Sequence, residues 1–410
     1  MTCTSKRPTN TVRCPACGGK VEVSERYESV YKDVPLDTRY RQKTVLIYHR
    51  YRCLECRKKF TEDLSEIKYS GAKITQRSSH WIKTLLAKGM AIQSVVSITG
   101  IHWATVKKVY EDVMDEALLK RDRYRKDTGY KPRYLAVDEF AIHKGHKYAT
   151  SVMDLENGEI IWVGLGRSME DFKVFFEETD MDYLSEVEAI AMDMNASYNK
   201  VVSERLPNAE IVYDRYHMQA QFGRDVLGAV RLDAAREHKR MAQEYTQMAK
   251  DTADEKEKAE LKELCKEETL EYRRVKKARW PILMNKDNLT DLQAESLTDI
   301  LDKHSDLALC YALKEEMTEL FCLTDRQEAE QRWTNWFKAC MGSGIAPLIR
   351  FARNKEKTRL PGLIAHADHH ISTGKLEGMN NKIKVAKRIG YGYRDEKYFF
   401  KLIRFISIPA

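Results

Sequence analysis

Residues 134–167 read YLAVDEFAIHKGHKYATSVMDLENGEIIWVGLGR. With a period of two, this stretch predicts three successive strands, Tyr134–Ile142, Tyr148–Asp154 and Ile160–Gly166. Glu156-Asn157-Gly158 joins the second to the third, and Asn-Gly is a strong hairpin signal because both residues tolerate positive φ. Asp138 falls inside the first strand, between Val137 and an apolar run. A carboxylate there is costly to bury unless a cation holds it. Two readings are open at this point: an edge or Lys-paired Asp, and a cation ligand.

The chain beyond it narrows the choice. Met169–Thr179 predicts an amphipathic helix, Ala189–Asp193 a short buried strand ending in a carboxylate, Asn195–Leu206 a helix, and Glu210–Tyr213 a strand followed by Asp214-Arg215-Tyr216-His217. Strand, strand, strand, helix, strand, helix, strand is the order of an RNase H-like α/β core, a mixed five-stranded sheet built on an antiparallel meander. That topology sets the middle of the first strand beside the C-terminal end of the fourth, and so Asp138 beside Asp193. Two carboxylates that close repel each other unless a divalent cation lies between them. Mg²⁺, or Mn²⁺, takes oxygen ligands, and a pair of such ions about 3.5–4 Å apart suits phosphodiester chemistry.

Charge is distributed unevenly. Residues 1–133 carry 28 Lys and Arg against 15 Asp and Glu, residues 134–345 carry 28 against 42, and residues 346–410 carry 14 against 5. Basic ends around an acidic middle point to a polyanion, and with no apolar run of membrane length the expected one is double-stranded DNA. The N-terminus lacks the charged-then-apolar pattern of an export signal, so the expectation is a soluble cytoplasmic protein, associated with the bacterial nucleoid when bound to DNA.

Nine cysteines include two CxxC pairs, Cys14/Cys17 and Cys53/Cys56, separated by 35 residues. Four thiolates in this arrangement suit a tetrahedral structural Zn²⁺. Lys43–Arg52 predicts a strand leading into the second pair, so the insert reads as a hairpin arm of a zinc ribbon. Ser78–Leu119 then reads as helical with one break: Ile92–Thr99, a turn at Gly100, and His102–Met114. Helix, Gly turn, helix is the helix-turn-helix pattern. His102, Thr105 and Lys108 are its candidate DNA contacts, and Trp103, Val106 and Val109 its packing side.

From about Gln219 the strand signal disappears, and Ala234–Arg279 reads as long charged helices of an all-helical insertion. Its Trp280, Trp333 and Trp336 are either core anchors or stacking groups for unpaired bases. Near the C-terminus a helix from about Leu376 to Arg388 sets Glu377, Asn381, Lys384 and Arg388 on one face. Such a stripe suits a metal ligand followed by DNA-backbone contacts, and equally an exposed charged helix. Asp214, at the end of the fifth strand, is a rival third carboxylate. Glu139 points away from Asp138, and Asp154 reads as a solvated turn residue.

VDEF-x3-KGHKY at 137–148, AMDMNASY at 191–198, DRYH at 214–217 and STGKLEGMNNKIKVAKRIGYGYR at 372–394 resemble the DDE transposases of bacterial insertion sequences, specifically the ISL-three family. The CPACGG and YRCLECRKKFTE segments resemble that family's zinc ribbon, and AIQSVVSITGIHWATVKKV its helix-turn-helix. The resemblance implies a transposase that binds the terminal inverted repeats of its element, cuts a strand with metal-activated water and joins the 3′ hydroxyl to target DNA. It implies Asp138, Asp193 and Glu377 as the metal-binding triad, with His217 nearby. Joining two ends implies a homodimer on DNA. The expected domains are 1–68 (ribbon), 69–125 (helix-turn-helix), 126–133 (linker), 134–218 (core), 219–345 (insertion) and 346–410 (end of the core). The competing reading is a sequence-specific DNA-binding regulator with the same modules and no cleavage activity.

Overall fold

The computed structural model describes residues 2–4, 11–35, 40–143, 147–390 and 392–409. Lys144, Gly145, His146 and Tyr391, quoted in the motifs above, lie outside them. The chain divides into two compact units, residues 1–129 with 379–408, and residues 130–378.

The first unit opens with β1 (Thr2–Thr4), β2 (Val21–Lys32), β3 (Lys43–Cys53) and β4 (Lys59–Thr61). β3 is central, parallel to β1 and antiparallel to β2 and β4. β2 and β3 form the long arm between the CxxC pairs, and Cys14, Val21, Tyr51 and Cys53 make a small core at its base. At the other end the buried carboxylate of Asp33 accepts hydrogen bonds from the Thr44 hydroxyl at 2.6 Å, the Thr75 hydroxyl at 2.7 Å and Arg77 Nη2 at 2.6 Å.

Three helices follow: α1 (Gln76–Ala87), α2 (Ile92–Thr99) and α3 (Trp103–Thr128). Their apolar periodicity buries Ile82, Leu86, Val95, Ile101, Val106 and Val109 in one cluster. Gly100 supplies the turn between α2 and α3 at φ +66°. The single helical break expected between Ser78 and Leu119 is joined by another after α1, where Gly89 takes φ +79°. α3 also outruns its expected end at Met114. No Gly or Pro interrupts it before Gly129, and Arg125 pairs with Asp122 at 3.3 Å, so the first three residues of the expected linker are helical. Trp103, expected to pack, is 45% exposed.

The second unit contains β5 (Tyr134–His143), β6 (Lys147–Asp154), β7 (Glu159–Leu165), α4 (Met169–Glu178), β8 (Ala189–Met192), α5 (Ala196–Arg205) and β9 (Glu210–Tyr213). The sheet order is β7-β6-β5-β8-β9. Its first three strands are antiparallel, and β8 and β9 run parallel to β5. α4 starts on a capping box between Ser168 and Asp171. It then buries Phe172, Phe175 and Phe176 with Tyr198, Val201 and Val202 of α5 against Leu135, Val137, Val152 and Ile190 of the sheet.

No strand occurs between residues 215 and 342. α6 (Arg215–Phe222) passes through a π-helical turn, Gly223–Leu227, into α7 (Gly228–Asp251), which pairs with α8 (Glu255–Lys277). α9 (Arg279–Leu283), α10 (Asp291–Lys303), α11 (Ser305–Leu320) and α12 (Arg326–Gly342) complete the helical block. Trp333 and Trp336 are fully buried in its core, whereas Trp280 is 67% exposed. α13 (Ala346–Ile364) returns to β9. It comes so close that a Cβ on Gly362 would lie 2.4 Å from the Tyr213 ring, so glycine is required there.

α14 (Gly374–Ile389) begins in this unit and ends in the first. α15 (Glu396–Ser407) packs on α3 through Phe405 against Tyr110 and through Lys401 to Asp115 at 2.7 Å. Residues 346–378 therefore belong with the sheet and 379–408 with the N-terminal helices, where the sequence assigned all of 346–410 to one core. Among the described residues no helix is long and apolar enough to cross a membrane.

Candidate active site

β5 and β8 pair in parallel at Tyr134 with Ala189, Leu135 with Ile190, and Ala136 with Ala191. Asp138 and Asp193 stand two residues beyond the last pair on each strand, so one register carries both to the same end of the sheet. His217, in the first turn of α6, places Nδ1 3.9 Å from Asp193 Oδ2. Asp138, His217 and Glu377 then line a single cavity of about 470 Å³ with Asp214, Tyr216, His366, His370 and Thr373. The structure thus brings Asp138, Asp193, His217 and Glu377 into one neighbourhood, from the middle of β5, the end of β8 and the first turns of α6 and α14.

Burial raises the Asp138 carboxyl above the usual carboxylate range. Asp193 and Asp214 push it the same way, against the opposing backbone N–H of Glu139 and His217. That is the signature of negative charge held at close quarters without enough compensation. Glu139 sits on the other face of β5. It accepts a hydrogen bond from Asn195 Nδ2 at 3.3 Å, and burial raises its pKa as well. Asp193 and Glu377 are more open: the Asp193 side chain is 41% exposed, and Glu377 faces solvent.

Asp214 is buried and fully engaged. Its carboxylate caps α6 by accepting from the N–H groups of Tyr216 at 2.8 Å and His217 at 3.3 Å. It also accepts from the N–H of Thr373 at 3.1 Å and the Thr373 hydroxyl at 2.8 Å. The Thr373 carbonyl in turn accepts from the N–H of Glu377 at 2.8 Å. The rival carboxylate therefore fixes the turn that presents Glu377. Asp154, expected to be solvated, is completely buried. It accepts from Tyr130 Oη at 2.8 Å, Asn157 Nδ2 at 2.8 Å and the N–H of Glu156 at 2.9 Å, because an Asx turn satisfies the carboxylate where water would otherwise be needed.

Several residues of the site escaped sequence reasoning. Arg359 of α13 donates to the carbonyl of Met194 at 3.0 Å and to Tyr213 Oη at 3.0 Å, anchoring the turn that carries Asp193. His366 and His370 meet edge to face, ring centres 5.9 Å apart, in the cavity wall, and burial lowers the His366 pKa. The run His366-Ala-Asp-His-His370 was the available signal.

Among the described residues, one group of three or more candidate ligands has all its donor atoms within 4.8 Å of one another: Cys14, Cys17, Cys53 and Cys56. Sγ of Cys14 lies 3.6 Å from that of Cys56, and Sγ of Cys17 lies 3.5 Å from that of Cys53. A disulfide needs about 2.05 Å. A tetrahedral ion with metal–sulfur bonds of about 2.3 Å sets its sulfurs about 3.8 Å apart, so the cluster has the dimensions of a four-thiolate metal site. The N–H of Cys56 donates to Sγ of Cys53 and helps hold that thiol at about 7, closer to the thiolate a metal requires. The oxygens of Asp138, Asp193 and Glu377 do not all lie within 4.8 Å of one another.

The candidate DNA contacts fall into two groups. His102 caps α3, its Nδ1 accepting from the N–H of Ala104 at 3.3 Å. Thr105 is partly exposed, and Lys108 is exposed beside Asp112 at 2.5 Å. Asn381, Lys384 and Arg388 all face solvent on α14, where Lys384 donates to Asn381 Oδ1 at 3.3 Å.

A family model described as a transposase of the ISL3 DDE type matches residues 135–403. The chain is similar to the transposase for insertion sequence element IS1001 of Bordetella parapertussis, with 34% identity over 97% of this chain and 89% of that one. It is also similar to the transposase for insertion sequence element IS1557 of Mycobacterium tuberculosis, with 24% identity over 77% of this chain and 68% of that one. Sheet, carboxylates and this likeness along almost its whole length lead to one conclusion: the chain belongs to the ISL-three family of DDE transposases.

Proposed function

We propose that this protein binds the terminal repeats of its own insertion sequence, cleaves a DNA strand there and transfers the freed 3′ hydroxyl to target DNA. The observation that carries this reading is the convergence of Asp138, Glu377 and His217 around one cavity at a mixed five-stranded sheet, with Asp193 beside His217. In this reading residues 134–218 form an RNase H-like core. Asp138, Asp193 and Glu377 are its metal ligands, an all-oxygen set suited to Mg²⁺ or Mn²⁺. Bound there, divalent ions would activate the attacking oxygen and stabilise the leaving one.

The chain's own groups do the remaining work. Asp138 is held rigidly in a strand, and the hydrogen bonds of Asp214 and Thr373 fix the first turn of α14. Glu377, exposed at that turn, has the freedom to close on the other two carboxylates. His217 stands where a proton or a phosphate oxygen can be held beside Asp193. Residues 1–68 act as a ribbon whose four cysteines hold a structural Zn²⁺. α2 and α3 act as a helix-turn-helix with His102, Thr105 and Lys108 toward DNA, while Asn381, Lys384 and Arg388 contact its backbone. Two protomers assemble when two ends are joined.

The test is strand cleavage of duplexes carrying the element's ends, with and without Mg²⁺. Metal-dependent nicking at the element boundary is expected. Tight, sequence-specific binding with no cleavage in Mg²⁺ or Mn²⁺ would instead make the protein a regulator.

A further inference from the structure

A cavity of about 990 Å³ lies in the helical block of the second unit. It meets the active-site cavity at Tyr216, which lines both and is 67% exposed. Its far wall carries Trp280, also 67% exposed, with the Arg279 guanidinium 5.5 Å from the indole centre. An exposed tryptophan beside a cation is an unsatisfied stacking surface, since indole is the ring most rewarded for burial. Arg279 and Arg350, both exposed on this wall, have no carboxylate partner among the described residues, whereas Arg224 and Arg236 pair with Asp225 and Asp233 at 2.8 Å.

The wall is built to hold that tryptophan in place. Buried Arg231 donates Nη1 to the carbonyls of Val275 at 3.3 Å and Lys276 at 2.5 Å, fixing the corner where α8 turns into α9. α9 is then seated against the π-helical turn at Gly223, where a Cβ would come within 2.6 Å of Leu283. A π-helical turn is rare inside α-helices and is frequent at functional sites. A large buried cation and a distorted helix are thus spent on presenting one exposed indole.

We propose that this cavity receives an unpaired nucleotide of the DNA end, its base stacked on Trp280 and its phosphate held by Arg279 and Arg350. Every base has a π-face, so such a site accepts bases without reading them. A base in a duplex cannot reach the indole, and the site therefore selects ends whose last nucleotides have left the helix. The inference rests on the active-site reading above only for the identity of the DNA.

The test separates the two. Binding is measured with Glu377→Gln protein, so that no cleavage intervenes, on duplexes bearing the element's end, either blunt or with a short single-stranded tail containing 2-aminopurine. Stacking on Trp280 should quench the probe. Trp280→Ala should restore its fluorescence and weaken tailed-end binding about 10-fold, within the range for one lost stack, while changing blunt-end binding less than about 2-fold. Trp280→Phe should retain most of the quenching. Because Trp280 is exposed, the melting temperature of Trp280→Ala should match the parent's. Unchanged quenching in Trp280→Ala, or equal loss on blunt and tailed ends, would overturn the proposal. Metal-dependent cleavage by the Trp280→Ala protein with Glu377 intact would still report on the active site.

Discussion

Asp214 and Thr373 are joined by two hydrogen bonds, from the N–H and the hydroxyl of Thr373 to one carboxylate oxygen, at 3.1 and 2.8 Å. The other oxygen caps α6. The pair ties the end of β9 to the start of α14 across 159 residues of sequence, and so relates the helix bearing His217 to the helix bearing Glu377.

Asp214→Asn should act through stability and placement. An amide has one acceptor oxygen for two sets of donors, so N–H groups of either α6 or Thr373 lose their partner. A buried unsatisfied group costs about 1–3 kcal/mol. A lower melting temperature with weakened, Mg²⁺-dependent cleavage is expected, and Thr373→Val should share the stability loss. An Asp214→Asn protein that melts like the parent would remove this role.

Glu377→Gln should behave in the opposite way. The side chain is exposed and its replacement nearly isosteric, so folding and DNA binding should persist while cleavage and joining fall to background. Parallel melting, gel-shift and cleavage measurements on both variants decide the matter. Should Glu377→Gln cleave near the parent rate while Asp214→Asn is dead and fully stable, Asp214 is the third ligand.

Asp33 should make the first unit acid-sensitive. Burial pushes its carboxyl up, but Arg77 and the Thr44 and Thr75 hydroxyls outweigh that and hold it at about 2, below the unfolded value. The stabilisation is therefore present above about pH 4 and lost as pH falls toward 2. Asp33→Asn should cost on the order of 2 kcal/mol at neutral pH and flatten the acid limb of the unfolding curve. An unchanged acid limb would show that the Asp33–Arg77 pair does not control it.

The cysteine cluster should bind one zinc per chain. Structural zinc contributes roughly 10–16 kcal/mol of apparent binding energy, against a local core of only a few buried side chains around Cys14 and Cys53. Cys53→Ser, or strong chelation, should unfold the ribbon, weaken end binding and leave the sheet unit's circular dichroism intact. Metal analysis of carefully purified protein finding no zinc would end this reading.

On α3, Lys108→Ala should weaken binding to all sequences and reduce the salt slope by about 0.9, the contribution of one phosphate contact. Thr105→Ala should alter preference among bases instead, by about 1–3 kcal/mol at one position. Equal losses for both variants on cognate and random duplexes would show that α3 does not read bases.

Local pattern was enough for the elements. Period-two alternation and Asn157-Gly158 placed β5, β6 and β7 within a residue or so of their observed limits, since a strand's face and the four-residue turn at 155–158 are decided by neighbours in sequence. Gly100 likewise marked the turn between α2 and α3. The end of α3 was not legible, because charged residues such as Arg121–Lys126 suit a solvated helix as well as a linker, and only the left-handed Gly129 stops it.

By itself the sequence determined the strand order, the cysteine pairs and the carboxylates able to meet, because each depends on local periodicity or short spacing. Tertiary structure decided which side chains are spent on the fold and which are left to act. Asp154 and Asp214 look like Asp193 in sequence, yet the donors that satisfy them come from Tyr130 and Thr373, the latter far away along the chain. Trp280 looks like Trp333, yet one is exposed and the other buried. Burial and hydrogen-bond satisfaction are properties of residues brought together by the fold, and no local pattern contains them.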